Sequence, residues 1–465
     1  MMRFTLAAAA ALALAGCASF SSDGGAGQVS ELTKERTGQG VSFQRTASDV
    51  DSAAVRVGEL LKQPLTADAA IEIAFLNNRG LQASFSELGI AEAERVRAGR
   101  LANPRLSLGR LAGGRVTEID RSVMFDLVGL LTMPLANEAA QRQFEQAQYR
   151  AAFEAVGVAA EARKAFFGAV AAQELVIYAE RVKLAADASS ELARRMLQAG
   201  NLSRLQQMRE QSFYADATAS LARARHQAVA QRERLARALG LSGESLGFRL
   251  PERLPDLPGS AFEPQDAEQT AVRKRLDVLM AKRDAEATAK SLGLTKATRF
   301  INVLEVGYAE KRQTGEARQG GYEIELELPL FDFGSTRAAR AEATYMQSVH
   351  RAAEVATNAR SEVRESYSAY RTAYDLARHY RDEVVPLRKR MSDENMLRYN
   401  GMLTGVFELL ADARDQVNSV TGAVESLRDF WIAETDLQSA LTGRSPGPAA
   451  SVALGKLAAD EQRAH

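Results

Sequence analysis

The sequence has little of what enzymes and disulfide-stapled domains are built from. One cysteine in 465 residues excludes an intramolecular disulfide. The histidines, His226, His350, His379 and His465, form no HExxH pair and have no cysteine partner for a metal site. No P-loop and no GxGxxG opens a helix after a strand. A formal net charge of zero removes any broad electrostatic preference for nucleic acid or acidic partners. Aromatics make up 6% of the chain, few for large globular cores. The apolar run from Phe4 to Ala15 is too short to span a bilayer as a mature helix. These absences argue against an enzyme and predict no catalytic residue, no metal and no cofactor. Carboxylates abound, but on heptad helices they read as salt-bridged surface.

What is present is order. At 46% hydrophobic and 25% charged the chain is not disordered, and alanine and leucine supply most of the apolar content, which suits long helices in close contact. One stretch breaks the helical pattern most clearly, Gly321 to Gly334. Tyr322, Ile324, Leu326, Leu328 and Leu330 alternate with Glu323, Glu325, Glu327 and Pro329, the period of a strand with one oily and one acidic face. A half-buried soluble strand shows the same pattern, and so does a strand that separates lipid from a water-filled lumen. The flanking chain is nearly all helical and offers no sheet to cover the oily side.

The two halves of the chain match at an offset of 195 residues, Pro134 falling on Pro329. Leu131–Leu135 then aligns with Leu326–Leu330, Arg79–Leu81 with Lys274–Leu276, and Leu106–Leu108 with Ile301–Val303. Each half reads helix, strand, turn, strand, long helix, turn, helix. The first set lies near 67–102, 105–111, 122–133, 136–199 and 203–240, and the second near 265–297, 299–309, 321–331, 334–399 and 404–442. Val123, Phe125, Leu127, Leu131 and Met133 repeat the alternation in the first half. Gly113-Gly114 and Gly320-Gly321 supply the hairpin turns. For 299–309 two faces compete, one with Phe300, Leu304, Val306 and Tyr308, the other with Ile301 and Val303. The expected domains are a signal peptide at 1–16, a tether at 17–64 whose Ser-, Gly- and Gln-rich part to about 45 is extended, a first repeat at 65–249, a Pro-rich linker at 250–264, a second repeat at 265–443 and a flexible tail at 444–465.

Four strands cannot close a transmembrane barrel, for which single chains use eight or more. An open edge in lipid leaves backbone groups unpaired at several kcal/mol each, so strands that enter a membrane must share a barrel with other copies. A helix over 136–199 is roughly 95 Å long. Val363, Tyr367, Tyr370, Tyr374 and Ala377 have coiled-coil spacing, and Val170, Ile177 and Leu184 repeat every seven. Both stripes read as packing, within one chain or around a shared ring, and not as a cofactor box. In the turns, Gly200 and Gly401 are expected to take the left-handed conformation, with Ser203 and Thr404 capping the helices that follow.

Leu14-Ala15-Gly16-Cys17 resembles the lipobox of bacterial lipoproteins, whose cysteine is acylated, and the lack of Asp after Cys17 implies the outer membrane by the same resemblance. Lipobox, duplicated helix–hairpin–helix halves, the "LPLFDFG" of 328–334 and the "YNGMLTGVFELLADAR" of 399–414 together resemble the TolC-like outer-membrane efflux protein family, over about residues 65–443. The resemblance implies a mainly α fold with a small transmembrane β part, forming as a homotrimer a 12-stranded β-barrel continued by a long α-helical barrel. It implies an exit duct serving a periplasmic adaptor protein and an inner-membrane pump. Gly200, Leu202, Ser203, Gly401, Leu403 and Thr404 would meet the adaptor, and Glu408 and Asp412 would narrow the tunnel. Tyr322, Ile324, Leu326 and Leu328 would face outer-membrane lipid. A monomeric, lipid-tethered scaffold of coiled coils explains the helices and lipobox but leaves both oily strand faces without a partner. Nothing in the residues distinguishes metal ions, drugs and polypeptides as cargo.

Overall fold

A computed structural model describes residues 19–300, 303–327 and 330–447. The lipobox with Cys17, the segment 1–16, Leu328 and the last residues of the tail lie outside the described residues. In chain order the elements are α1 (Ala26–Thr37), α2 (Ala47–Leu60), α3 (Ala67–Asn77), α4 (Arg79–Ala98), β1 (Arg105–Gly113), β2 (Val116–Asp126), α5 (Leu127–Gln198), α6 (Arg204–Leu239), α7 (Ala267–Lys274), α8 (Leu276–Ala297), β3 (Leu304–Gln313), β4 (Gln319–Leu326), α9 (Ser335–His379), α10 (Val385–Asn400) and α11 (Val406–Thr442). Among the described residues no helix is long and apolar enough to cross a membrane. The chain divides into two compact units. One holds 1–29, 83–152 and 276–357; the other holds 30–82, 153–275 and 358–465.

The first unit contains the sheet, four antiparallel strands in the order β1-β2-β3-β4. Pairing of β2 with β3 joins the two halves of the sequence. Gly307 permits their close approach, since a Cβ there would overlap the Val123 carbonyl oxygen and Met124 Sδ. Helices of the two halves also meet, through Lys290–Glu138 at 2.8 Å and Gln146–Asp284 at 3.1 Å. Residues 19–25 pack here, with the Ser21 N–H and hydroxyl both donating to buried Glu92 at 2.6 Å.

The second unit holds an aromatic core. Phe167 stacks on Trp431 at 5.2 Å, Trp431 meets Phe430 edge-on at 5.1 Å, and Phe430 lies against Tyr370 and Tyr374. The heptad stripe is therefore packed within one chain: Val363, Tyr370, Tyr374 and Ala377 are buried. The Pro-rich segment is pinned to this core. The Trp431 indole N–H donates to the Pro255 carbonyl at 3.0 Å, the Tyr374 hydroxyl to the Pro258 carbonyl at 3.1 Å, and the Phe262 N–H to the Tyr370 hydroxyl at 2.8 Å.

Several sequence expectations are corrected. The segment expected to be extended carries α1, and α2 follows it. Thr46 and Asp49 form a reciprocal capping box at the start of α2, and Ala53 and Val57 are buried. The strand expected over 122–133 ends at Asp126, and Leu127–Met133 begins α5 with Pro134 inside the helix. The Asp126 carboxylate accepts the Gly129 N–H at 2.8 Å, and leucine and methionine are strong helix formers, so a cap outweighs the alternation. Gly320 and Gly321 lie within β4, and the hairpin turns instead at 314–318, with Gly315 at φ 83°. The helix expected from 334 to 399 passes through a π-helical turn at Tyr380–Val384. Pro386, which lacks an N–H and crowds the preceding turn, accounts for the break.

Candidate channel-forming and docking surfaces

Register fixes which side chains share a face of the sheet. Residues paired directly across antiparallel strands lie on the same side, so the pairs Leu304–Leu326, Phe125–Val306–Ile324 and Leu106–Val123–Tyr308–Tyr322 form three successive apolar rungs on one face. The even-numbered residues of β3 thus belong with the oily residues of β4, which resolves the two competing faces. Tyr322 is 90% exposed and Ile324 68%; Tyr308 and Tyr322 meet edge-on at 6.4 Å.

The opposite face is polar. Arg105, Ser107, Asp120, Ser122, Glu305, Lys311, Glu323 and Glu325 alternate with the apolar rungs. Its cations are neutralised locally: Arg105 reaches Glu305 at 2.9 Å, and Lys311 pairs with Glu118. Such segregation, with the charged side internally paired and the oily side bare, suits a wall between hydrocarbon and water. The outer edges of β1 and β4 have no strand partner among the described residues, and an unpaired edge is a template for another strand.

No protein-family model and no curated protein matches the chain. Solved structures do. The outer membrane protein VceC from Vibrio cholerae superposes with TM-score 0.66 at 14% identity, over 85% of this chain and 97% of that one. The Campylobacter jejuni CmeC outer membrane channel gives 0.65 at 14% identity, over 90% of each chain. The open state of the Neisseria gonorrhoeae MtrE outer membrane channel gives 0.66 at 15% identity, over 82% and 90%. The chain has the TolC-like fold. At these identities the likeness establishes architecture alone. Two further places singled out in the sequence are the helix–helix turns and the start of α11.

Both turns close with the same hydrogen-bond pattern. The Asn201 N–H reaches the Met196 carbonyl at 2.9 Å and the Gly200 N–H the Leu197 carbonyl at 3.0 Å; the Leu403 N–H reaches Arg398 at 2.8 Å and the Met402 N–H reaches Tyr399 at 2.9 Å. These are Schellman motifs, and they differ in the residue made to take the left-handed conformation. Gly200 has φ 79°, but in the second turn Gly401 is at φ −78° and Met402 carries φ 60°. The expectation for Gly401 is corrected: the cap has slipped by one residue. Met402 is 94% exposed, beside exposed Leu403.

The helix starts differ too. Ser203 caps α6 through a capping box with Gln206, as the sequence led us to expect. Thr404 does not cap α11; Gly405 is the N-cap and makes no side-chain bond, while Thr404 Oγ1 is enclosed without a hydrogen-bond partner among the described residues. Leu202 is half-buried. Near the end of α5, Arg194 and Arg195 hold the exposed Glu191 carboxylate down to about 2.

Glu408 and Asp412, one helical turn apart on α11, have different surroundings. Glu408 is exposed; Asp412 is buried, and its Oδ2 has no hydrogen-bond partner among the described residues. Sequence reasoning missed Met402 because glycine at 401 was the obvious left-handed residue. Among the described residues no group of His, Cys, Asp and Glu could hold a metal ion.

Proposed function

We propose that the protein is the outer-membrane exit duct of a tripartite efflux or secretion system, passively conducting cargo handed over by a periplasmic adaptor and an inner-membrane pump. One observation carries the reading: a two-faced sheet, oily on one side and polar on the other, with no strand partner at either edge among the described residues. Three copies would join β1 of one to β4 of the next, an antiparallel junction like all the others, and close a 12-stranded barrel with its polar face inward. The long helices would continue it as an α-helical barrel into the periplasm. The three similar solved structures, one an outer membrane protein and two outer membrane channels, support this reading through the shared fold.

In this reading the turns carrying Gly200, Leu202, Ser203, Gly401, Leu403 and Thr404 dock the adaptor, and Met402 joins them through its exposure. Glu408 and Asp412 narrow the tunnel, the exposed Glu408 being the one of the pair open to the lumen. Cys17 is the lipid attachment point once 1–16 is removed. No step of chemistry belongs to the duct itself, and energy comes from the pump.

The test is electrical. Purified protein added to planar lipid bilayers should form long-lived conducting pores of uniform size, and Ile324→Arg should abolish their appearance. Protein that leaves the bilayer insulating, or an arginine variant that conducts as well as the parent, would overturn the proposal.

A further inference from the structure

The oily face of the sheet does not continue to the hairpin turns. Above the rung that holds Tyr308 and Tyr322, the next rung of the same face is Leu108–Arg121–Glu310–Gly320, and the one after it holds Arg110, Ile119 and Arg312. Arg318, in the turn before β4, pairs with Glu310. Arg110, Arg121 and Arg312 are exposed and form no ion pair among the described residues. The polar face behaves oppositely, since Arg105 and Lys311 are both paired there.

Three unneutralised guanidinium groups thus stand directly above an apolar band, solvated where water reaches them and open to an anionic partner. Strand spacing sets the scale: Arg110 and Arg312 stand two strands apart, roughly 10 Å, and Arg121 sits between them one rung lower, about 7 Å along the strand. A planar guanidinium fork matches phosphate geometry, and arginine tolerates a half-dry boundary better than lysine. The Tyr308–Tyr322 pair just below occupies the position of the aromatic girdles that mark where hydrocarbon meets head groups.

We propose that Arg110, Arg121 and Arg312 form a docking surface for the phosphate head groups of membrane lipid, at the turn-side boundary of the apolar band. The proposal rests on the outer-membrane reading and adds a lipid preference to it. The surface anchors the sheet at a fixed depth: the apolar rungs stay in hydrocarbon while phosphates neutralise the arginines.

The experiment uses the full chain, purified in non-ionic detergent and offered equal amounts of phosphatidylglycerol and diacylglycerol with the same acyl chains. Lipid retained per chain is counted by native mass spectrometry. The unaltered protein should retain phosphatidylglycerol over diacylglycerol by at least about five-fold, the factor expected for even one arginine near an anionic surface. R110Q/R121Q/R312Q should bring the two to parity, whereas R181Q/R351Q/R360Q, three exposed helix arginines, should leave the ratio unchanged. Should the triple variant not fold, R121Q and R312Q singly carry the test, each lowering the ratio. An unchanged ratio in the R110Q/R121Q/R312Q protein overturns the proposal, as does displacement of the lipid by inorganic phosphate at equal concentration, which would make this a simple anion site. Conductance separates the two readings. If pores form and the ratio does not respond, only the lipid surface is wrong; if no pore forms, the duct reading falls and this falls with it.

Discussion

The aromatic core of the second unit and the sheet of the first treat the same kinds of side chain in opposite ways. Phe430 is fully buried, and Tyr370 and Tyr374 are buried around it; Tyr322 is 90% exposed and Phe125 53%. The core is complete within one chain. The sheet is complete only in its hydrogen bonds between strands: its oily face has no cover and its edges no partner among the described residues. The contrast separates what a single copy stabilises alone from what, in the proposed reading, a membrane and other copies supply.

The comparison can be broken most forcefully in the core. Phe430→Ala should cost about 3–5 kcal/mol, read as a lower denaturant midpoint of the helical circular dichroism signal. Tyr322→Ala should leave that midpoint unmoved, because the ring is already exposed. Equal losses from both would mean the sheet is covered after all.

Next in size is the sheet itself. Leu326→Arg should cost roughly 2–4 kcal/mol per chain near the bilayer midplane, seen as loss of vesicle insertion with helical stability intact. Normal insertion would mean that the apolar rungs do not face lipid.

Much of this contrast was legible in the sequence. Alternation at Tyr322–Leu326 and heptad spacing at Val363–Ala377 are strong, local signals, and each follows from one geometric period. The start of α5 was not legible, because Leu127–Met133 satisfies a strand pattern and a helix propensity at once, and the deciding group is the Asp126 carboxylate just outside it. The segment before residue 64 was misread because its polar, glycine-containing composition hides the Thr46–Asp49 capping box and the burial of Ala53 and Val57. The slipped cap at Met402 depends on backbone hydrogen bonds that no residue type announces.

That slip gives a smaller test, of one turn against the other. Met402→Gly should stabilise the second turn by about 1 kcal/mol, since a left-handed conformation costs a side-chain-bearing residue on that order. Gly200→Ala should destabilise the first by a similar amount. Thermal unfolding of the two variants should therefore shift in opposite directions.

The smallest expected effect lies in the core. Burial raises the Glu434 carboxyl above its usual range, with Arg163 only partly opposing. A carboxyl raised in the folded state favours folding when protonated and loses that advantage as pH rises through its folded value. Glu434→Gln should therefore unfold at a slightly higher temperature than the parent at pH 7, with the gap closing below about pH 4, where the unfolded carboxyl is protonated as well. A gap that widens on acidification would reverse the assignment.

The central claim is that one chain supplies a third of a barrel and cannot seal it alone. Sedimentation or light scattering of the protein extracted from membranes in mild detergent, corrected for bound detergent, measures it directly. Three chains per particle is the expected result; a uniform population of single chains that still conducts in bilayers would contradict it.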